Sequence, residues 1–341
     1  MTGPAVEPPA SGQGRLLHLG NVVIDVVLTV PWLPERGGDV LASATTSAPG
    51  GGFNVMAAAA RQGLPVAYAG ARGTGPFAEL AAAALAAEGI EVLQPPKPDL
   101  DTGVVISLVE AGGERTFVTG PGAEARLTVQ DLARVRAGPA DAVYLSGYGL
   151  LHASNRPALL GWLSGLNEAS PVFFDPGPLA AQIPASALAA AAGRADWLTC
   201  NAREAAILTG HRDPAAAALT LARRQTMSVG DLGPPATQIP HANDDAPLGG
   251  GVVVRLGPDG CVLLAPGTAE AVRVPGFAVD AVDTNGAGDT HAGVFIAALA
   301  HGADALEAAR RANAAAALSV TRPGPATAPT AAELTQFLAR A

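Results

Sequence analysis

The hydrophobic pattern divides the chain into alternating short apolar runs and longer Ala-rich amphipathic segments. From Leu127 onward the alternation is regular. A helical pattern over Val129 to Val135 leads to a strand pattern over Ala142 to Leu145. Arg156 to Leu166 leads to Val172-Phe173-Phe174-Asp175, and Ala185 to Ala192 leads to Trp197-Leu198-Thr199-Cys200-Asn201. Near-continuous apolar strands separated by helices predict a parallel sheet covered on both faces. Upstream, Leu16 to Val30 reads as one strand, interrupted by Asn21 and Asp25. Gly50-Gly51-Gly52-Phe53-Asn54 opens a helix that Gly63 and Pro65 stop. Val66 to Gly70 suits a strand, and Phe77 to Glu88 a helix ended by Gly89.

The alternation breaks once. Thr102 to Glu110 and Arg115 to Thr119 flank Ala111-Gly112-Gly113-Glu114, which is a hairpin signal. This hairpin and the segment Val26 to Ser47 are expected to form a small separate sheet, a lid over about 26–48 and 101–120. Arg115 could reach the site from there, but a solvated hairpin arginine is the expected reading. Residues 1–14 read as a disordered Pro/Gly/Ser-rich tail. Residues 225–250 read as a flexible insertion, with Asp244-Asp245 as a solvated turn. Val252 to Leu256 and Cys261 to Leu264 pair around Gly257-Pro258-Asp259-Gly260. Ala271 to Val282 reads as strand and turn, Ala292 to Ala300 as a helix, and Ala305 to Val320 as a second helix carrying Asn313. A short helix closes the chain, making 15–341 one α/β domain.

Composition narrows the chemistry. The net charge of −9 argues against nucleic acid, whose binding needs clustered cations. No apolar run is long enough to span a membrane, and the N-terminus lacks a secretory pattern. Two distant cysteines, Cys200 and Cys261, imply no disulfide framework and fit a reducing cytoplasm. Lys97 is the only lysine and sits among prolines. A P-loop, a protein-kinase strand lysine and a pyridoxal Schiff base each need a lysine in a context that Lys97 lacks. The six histidines show no zinc spacing, and His291 is expected beside the chemistry rather than in it.

The densest candidate chemistry is Asp283-Thr284-Asn285-Gly286-Ala287-Gly288-Asp289-Thr290. Gly286 and Gly288 fall where a loop becomes a helix N-terminus, so backbone N–H groups converge there and the dipole favours an anion. Asp289 beside such a cradle fits a base that deprotonates an attacking hydroxyl. A helix-capping Asp in a tight turn fits the same letters. Asp25, interrupting an apolar strand, fits a carboxylate that accepts hydrogen bonds from a polyhydroxylated ligand, or a strand-end Asp in solvent. Asn54 lies in a first helical turn, as a ligand contact or a cap. Asp175, Asn201 and Glu204 fall at strand C-terminal ends, where open α/β sheets bind ligands. Asn201 and Glu204 could organise a hydrated Mg²⁺ or form a capping box. Gly286-x-Gly288 lacks the third glycine of a dinucleotide fingerprint, which disfavours a nicotinamide oxidoreductase.

Together these motifs resemble the ribokinase-like (PfkB) carbohydrate kinase family from about Leu16 to Phe337. Asp283 to Thr290 is similar to its C-terminal signature and Gly50 to Asn54 to its N-terminal one. Asn201-Ala202-Arg203-Glu204 is similar to its Asn-x-x-Glu, and Arg255 to Gly260 to the strand-turn flanking the nucleotide. The resemblance implies a ribokinase-like three-layer α/β/α sandwich: a central, mostly parallel sheet of about nine strands and a small β-sheet lid that often mediates homodimerisation. It implies transfer of the γ-phosphoryl group of ATP, with Mg²⁺, to a primary hydroxyl of a sugar. Nucleoside acceptors and a non-catalytic sugar- or nucleotide-binding regulator are the alternatives; a nucleoside kinase would use stacking aromatics, for which Phe53, Phe117 and Tyr148 are candidates.

By position, Asp289 would be the base, with the amides of Gly286, Ala287 and Gly288 as the anion hole. Asp25, Gly51, Gly52 and Asn54 would bind the acceptor. Asn201, Glu204, Gly257, Gly260 and Asn313 would serve the nucleotide, with Glu204 reaching Mg²⁺ through water. Asp283, Asn285, Arg322 and Gly324 match where K⁺-using members bind that ion. Ser146-Gly147-Tyr148 lacks the acidic residue of some ribose-specific members.

Overall fold

The computed structural model describes residues 14–112, 114–225 and 248–341. Most of the expected tail and insertion, including Asp244-Asp245, lies outside the described residues. The strands of the first half are β1 (Leu16–His18), β2 (Val22–Thr29), β3 (Ala44–Gly51), β4 (Val66–Tyr68), β5 (Glu91–Val92), β6 (Val104–Val109) and β7 (Arg115–Gly120). Those of the second are β8 (Ala142–Ser146), β9 (Val172–Asp175), β10 (Trp197–Asn201), β11 (Gly251–Arg255), β12 (Cys261–Leu264) and β13 (Val272–Val274). Nine strands make one sheet, ordered β13-β12-β11-β10-β9-β8-β1-β4-β5, and four make another, ordered β3-β2-β6-β7. In the larger sheet only β12 and β13 run antiparallel to their neighbours.

Alternate residues of each central strand feed opposite sides of the large sheet, as the pleat requires. Leu17, Val143, Leu145, Val172, Phe174, Leu198 and Val252 join one core cluster. It is covered by α3 (Val129–Leu132), α4 (Gly147–Leu151), α5 (Arg156–Ser164), α6 (Ala185–Arg194), α7 (Ala202–Thr209) and α8 (Pro214–Arg224). Leu16, Tyr144, Phe173, Trp197 and Val253 join the other. There the cover is α1 (Gly52–Arg61), α2 (Pro76–Ala87), α9 (Ala287–Ala300) and α10 (Ala305–Ser319), with α11 (Ala331–Leu338) packed outside. This is the expected three-layer sandwich.

Two elements depart from the sequence pattern in ways that matter for the site. Leu16 to Val30 is two strands in different sheets: β1 pairs with β4 and β8, while β2 pairs with β3 and β6. The break falls at Gly20, where a Cβ would lie 2.4 Å from the His18 ring. Apolar continuity hid a change of direction that the glycine permits. The first pair of strands in the small sheet therefore runs from Val22 to Gly51, wider than the expected 26–48. The second departure is α9, which starts at Ala287, five residues before the apolar run. Its N-cap, Gly286, has φ 74°, a left-handed conformation that favours glycine.

Candidate active site

The C-terminal ends of β8, β9, β10 and β11, the first turns of α1 and α9, and the near end of the lid converge on one region. Gly286 caps α9 without any side-chain hydrogen bond. The amides of Gly286, Gly288 and Asp289 donate no hydrogen bond to any described residue, and Ala287 makes only a long one of 3.4 Å to the Thr284 carbonyl. Asp289 is therefore not the N-cap; it sits in the first turn with its carboxylate turned toward α1. Asn54 Nδ2 donates to Asp289 Oδ2 at 2.9 Å, which leaves Oδ1 without a donor among the described residues. Burial pushes the Asp289 carboxyl up to about 6, and the Asn54 hydrogen bond opposes that shift. Asn54 is buried, caps nothing, and its own Oδ1 has no partner. A buried orphan acceptor is costly unless a ligand donates to it.

Asp25 approaches from β2. Its pKa also rises to about 6 through burial, moderated by the Asn285 side chain. Gly50 lies against it: a Cβ there would fall 2.2 Å from Asp25 Oδ2. Gly51, with φ 61°, caps α1 and leaves that helix end without a side-chain partner. Gly52 packs on the ring of buried His18, whose pKa burial lowers to about 3, so it is neutral. The structure thus brings Asp25, Gly51, Gly52, Asn54, Asn285, Gly286, Ala287, Gly288 and Asp289 together.

A second set lines a cavity of about 500 Å³ bordered by Asn201, Arg255, Leu256, Gly257 and Asp259. Asn201 and Glu204 form the capping box of α7: Glu204 N donates to Asn201 Oδ1 at 2.9 Å, and Asn201 N to Glu204 Oε2 at 2.7 Å. Among the described residues Glu204 Oε1 and Asn201 Nδ2 have no hydrogen-bond partner, so the cap does not use up either side chain. Burial, then the neighbouring Asp175, raises the Glu204 pKa. Gly257 opens on free space, whereas Gly260 abuts the Val274 carbonyl and shapes the turn.

Three of the residues singled out in the sequence have protein partners of their own. Asn313 is buried inside the protein, donating to the Val274 and Pro275 carbonyls and bonded to His291 at 3.1 Å. Its amide fixes β13 against α10. Arg322 turns outward to Glu333 at 2.7 Å. Arg115 is not a solvated hairpin residue: it reaches from the lid to Asp283 at 2.6 Å. Asp283 also accepts from Asn285 N and Gly324 N, and these bonds hold its pKa low although burial alone raises it. Lys97 pairs with Asp131, and Phe53 is a core residue.

One site residue was missed. Arg255 ends β11, and its guanidinium bonds Asp175 Oδ2 at 3.0 Å and Thr199 Oγ1 at 2.7 Å, with Glu204 Oε2 at 3.7 Å. Burial alone works against its charge, but the two carboxylates more than offset that and keep it cationic. The signal was legible: an arginine terminates an otherwise apolar strand, Val252-Val253-Val254-Arg255.

A helix end with open amides, a carboxylate oriented beside it and a cavity of about 500 Å³ thus lie on the same strand ends, and comparison with known proteins makes the chain an ATP-dependent sugar kinase of ribokinase-like fold. The sequence matches the pfkB family carbohydrate kinases over residues 13–332, and the chain belongs to that family. It is 31% identical to the uncharacterized sugar kinase YegV of Escherichia coli, covering 96% of this chain and 95% of that protein. It is 32% identical to an ATP-dependent ribose-1-phosphate kinase of Halopiger xanaduensis, covering 95% and 98%. Among solved structures, the ribokinase of Thermotoga maritima matches with a TM-score of 0.75 and 25% identity over 95% of this chain and 99% of that one. A structure from Escherichia coli assigned as ribokinase II, solved with ATP and Mg²⁺, matches in fold with a TM-score of 0.76 at 21% identity, covering 96% and 100%.

Proposed function

We propose that this kinase moves the γ-phosphoryl group of ATP to a primary hydroxyl of a sugar, with Asp289 as the base. The observation that carries the reading is the pairing of an oriented, partly protonatable carboxylate with the amides of Gly286 and Gly288, which have no acceptor among the described residues, on the same helical turn. Asp289 Oδ1 takes the proton of the acceptor hydroxyl as its oxygen attacks the γ-phosphorus. The bond from that phosphorus to the bridging oxygen breaks, and ADP leaves. The amides of Gly286, Ala287 and Gly288 hold the charge on the transferring group. Asp25, the backbone of Gly51 and Gly52, and the orphaned Asn54 Oδ1 hold the acceptor hydroxyls. The cavity beside Asn201 and Gly257 suits the nucleotide. Glu204 Oε1 fits a water of a phosphate-bound Mg²⁺, an ion that neutralises phosphate charge when bound.

A nucleoside acceptor is less well supported, because with Phe53 in the core only Tyr148 and Phe117 remain as stacking partners. The reading is tested by a screen of pentoses, hexoses, keto-deoxy acids, sugar phosphates and nucleosides for ADP release and a phosphoester product. ADP release with a sugar and a new primary phosphoester supports it. Release no faster than ATP hydrolysis for every acceptor contradicts it.

Two subsidiary parts of the reading have their own tests. K⁺ bound near Asp283, Asn285, Arg322 and Gly324 accelerates turnover. With the Asp283 carboxylate held by Arg115, that ion is held mainly by backbone carbonyls, and equal rates without K⁺ remove the site. The lid, with exposed Phe117 and Val118, pairs two copies of the chain. A monomer mass in sedimentation would refute the dimer.

A further inference from the structure

Arg255 sits where a stability argument would not put a cation. It lies nearly buried beneath the N-terminal turn of α9: a Cβ on Gly288 would fall 3.4 Å from its Nε and 3.7 Å from its Nη2. The end of a helix that favours anions disfavours a guanidinium. A buried ion cluster is also weak evidence for stability, since its desolvation offsets its attraction. Yet two neighbouring strands and α7 cooperate to hold it, through Asp175 on β9, Thr199 on β10 and Glu204 on α7. Without Arg255, this corner would present Asp175, Glu204 and Asp289 to an incoming triphosphate with no cation among them. The chain's single lysine is committed elsewhere, to Asp131.

We infer that Arg255 is the fixed positive charge behind the amide cradle of α9, a positioning residue that strengthens the cradle for the phosphoryl group in transit and keeps Asp289 ionised. The inference rests on the kinase reading above and deepens it. In water-poor surroundings a preoriented charge close to the reacting group acts without reorganisation. The groups that face Asp289 are Asp25 from β2, Asn54 from α1, Tyr144 from β8 and Asp175 from β9. Around them stand Tyr148 from α4, Glu204 from α7 and Arg255 itself. Of these only Arg255 is a cation. It draws the Asp289 carboxyl down, while Asp175 pushes it up.

The test begins with wild-type enzyme and an acceptor it phosphorylates; if none is found, the kinase reading fails and this inference with it. With an active wild type, the inference stands or falls alone. Arg255→Met is expected to lose about 100-fold in kcat, with nucleotide KM changed by no more than about threefold. The acid limb of its pH–kcat profile moves to higher pH. Arg255→Lys recovers about tenfold of the loss. Asp175→Asn leaves the guanidinium in place and moves the acid limb the opposite way, to lower pH. A merely structural tie among β9, β10 and β11 would lower Tm in all three variants without displacing the limb. That pattern overturns the inference, as does Arg255→Met with kcat within about threefold of wild type. Should Arg255→Met fail to fold, the displacement in Asp175→Asn decides, upward or absent being contrary.

Discussion

α2 and α9 each follow a glycine with positive φ, 123° at Gly75 and 74° at Gly286, and neither has a side-chain cap of its own. At α2 the carboxylate of Asp101, from a distant loop, accepts from Phe77 N at 3.1 Å and Ala78 N at 2.8 Å. At α9 the amides of Gly286, Gly288 and Asp289 have no acceptor among the described residues, and the Arg255 guanidinium lies close behind Gly288. The same device is closed for stability in one helix and left open in the other. An unfilled helix N-terminus costs stability, so its retention at the mouth of the strand ends points to a ligand that completes it. α7 lies between these extremes: its capping box satisfies the helix end at the edge of the cavity that Asn201 lines.

Substitutions can break this contrast, the largest effect coming from the carboxylate beside the open end. Asp289→Asn should lower kcat by about 100-fold or more while leaving ATP affinity within about threefold, read by steady-state rates and calorimetry. Activity within a few-fold of wild type would remove the base. Asn54→Ala should lower kcat/KM for the acceptor by about tenfold, because it frees Asp289 and deletes an acceptor contact. An unchanged value would show that the orphaned amide oxygen meets no ligand.

Closing helices is a different matter. Asp101→Ala should destabilise by about 1–2 kcal/mol in denaturant unfolding, with turnover within about threefold of wild type. If turnover collapsed instead, α2 would belong to the site and the contrast would fail.

The smallest effect is a pH-dependent one. The folded-state pKa of Asp289, about 6, lies above its usual value of 3.8. Its contribution to stability is therefore lost as pH rises from about 4 to 6. Asp289→Asn should melt on the order of 1–2 °C above wild type at pH 8, and the gap should close by pH 4. A gap that grew toward acid would contradict the raised pKa.

Much of this was legible in the sequence because glycine, proline and apolar period speak locally. The β-α alternation gave the large sheet, the hairpin signal gave β6 and β7, and the two glycine-led helices gave the cradle and its partner. What stayed hidden depends on contacts far apart in the chain. Asn54 and Asp289 are 235 residues apart, and Arg115 and Asp283 are 168 apart. No local pattern says that one amide orients the other residue's carboxylate, or that a hairpin arginine crosses to the loop before α9. Asn313 is another case: its position in the sequence does not record that its amide bonds two carbonyls and a histidine. The split of β1 from β2 was hidden for a similar reason, since an apolar run does not record that Gly20 lets it turn into a second sheet.

The central claim is that the α9 amides receive the phosphoryl group. Amide chemical shifts of the labelled protein, followed by NMR as ADP, aluminium fluoride and Mg²⁺ are added together, test it most directly. The account predicts large downfield proton shifts at Gly286, Ala287 and Gly288 and none at Phe77 and Ala78 of α2. Unmoved α9 amides, with nucleotide bound, would contradict it.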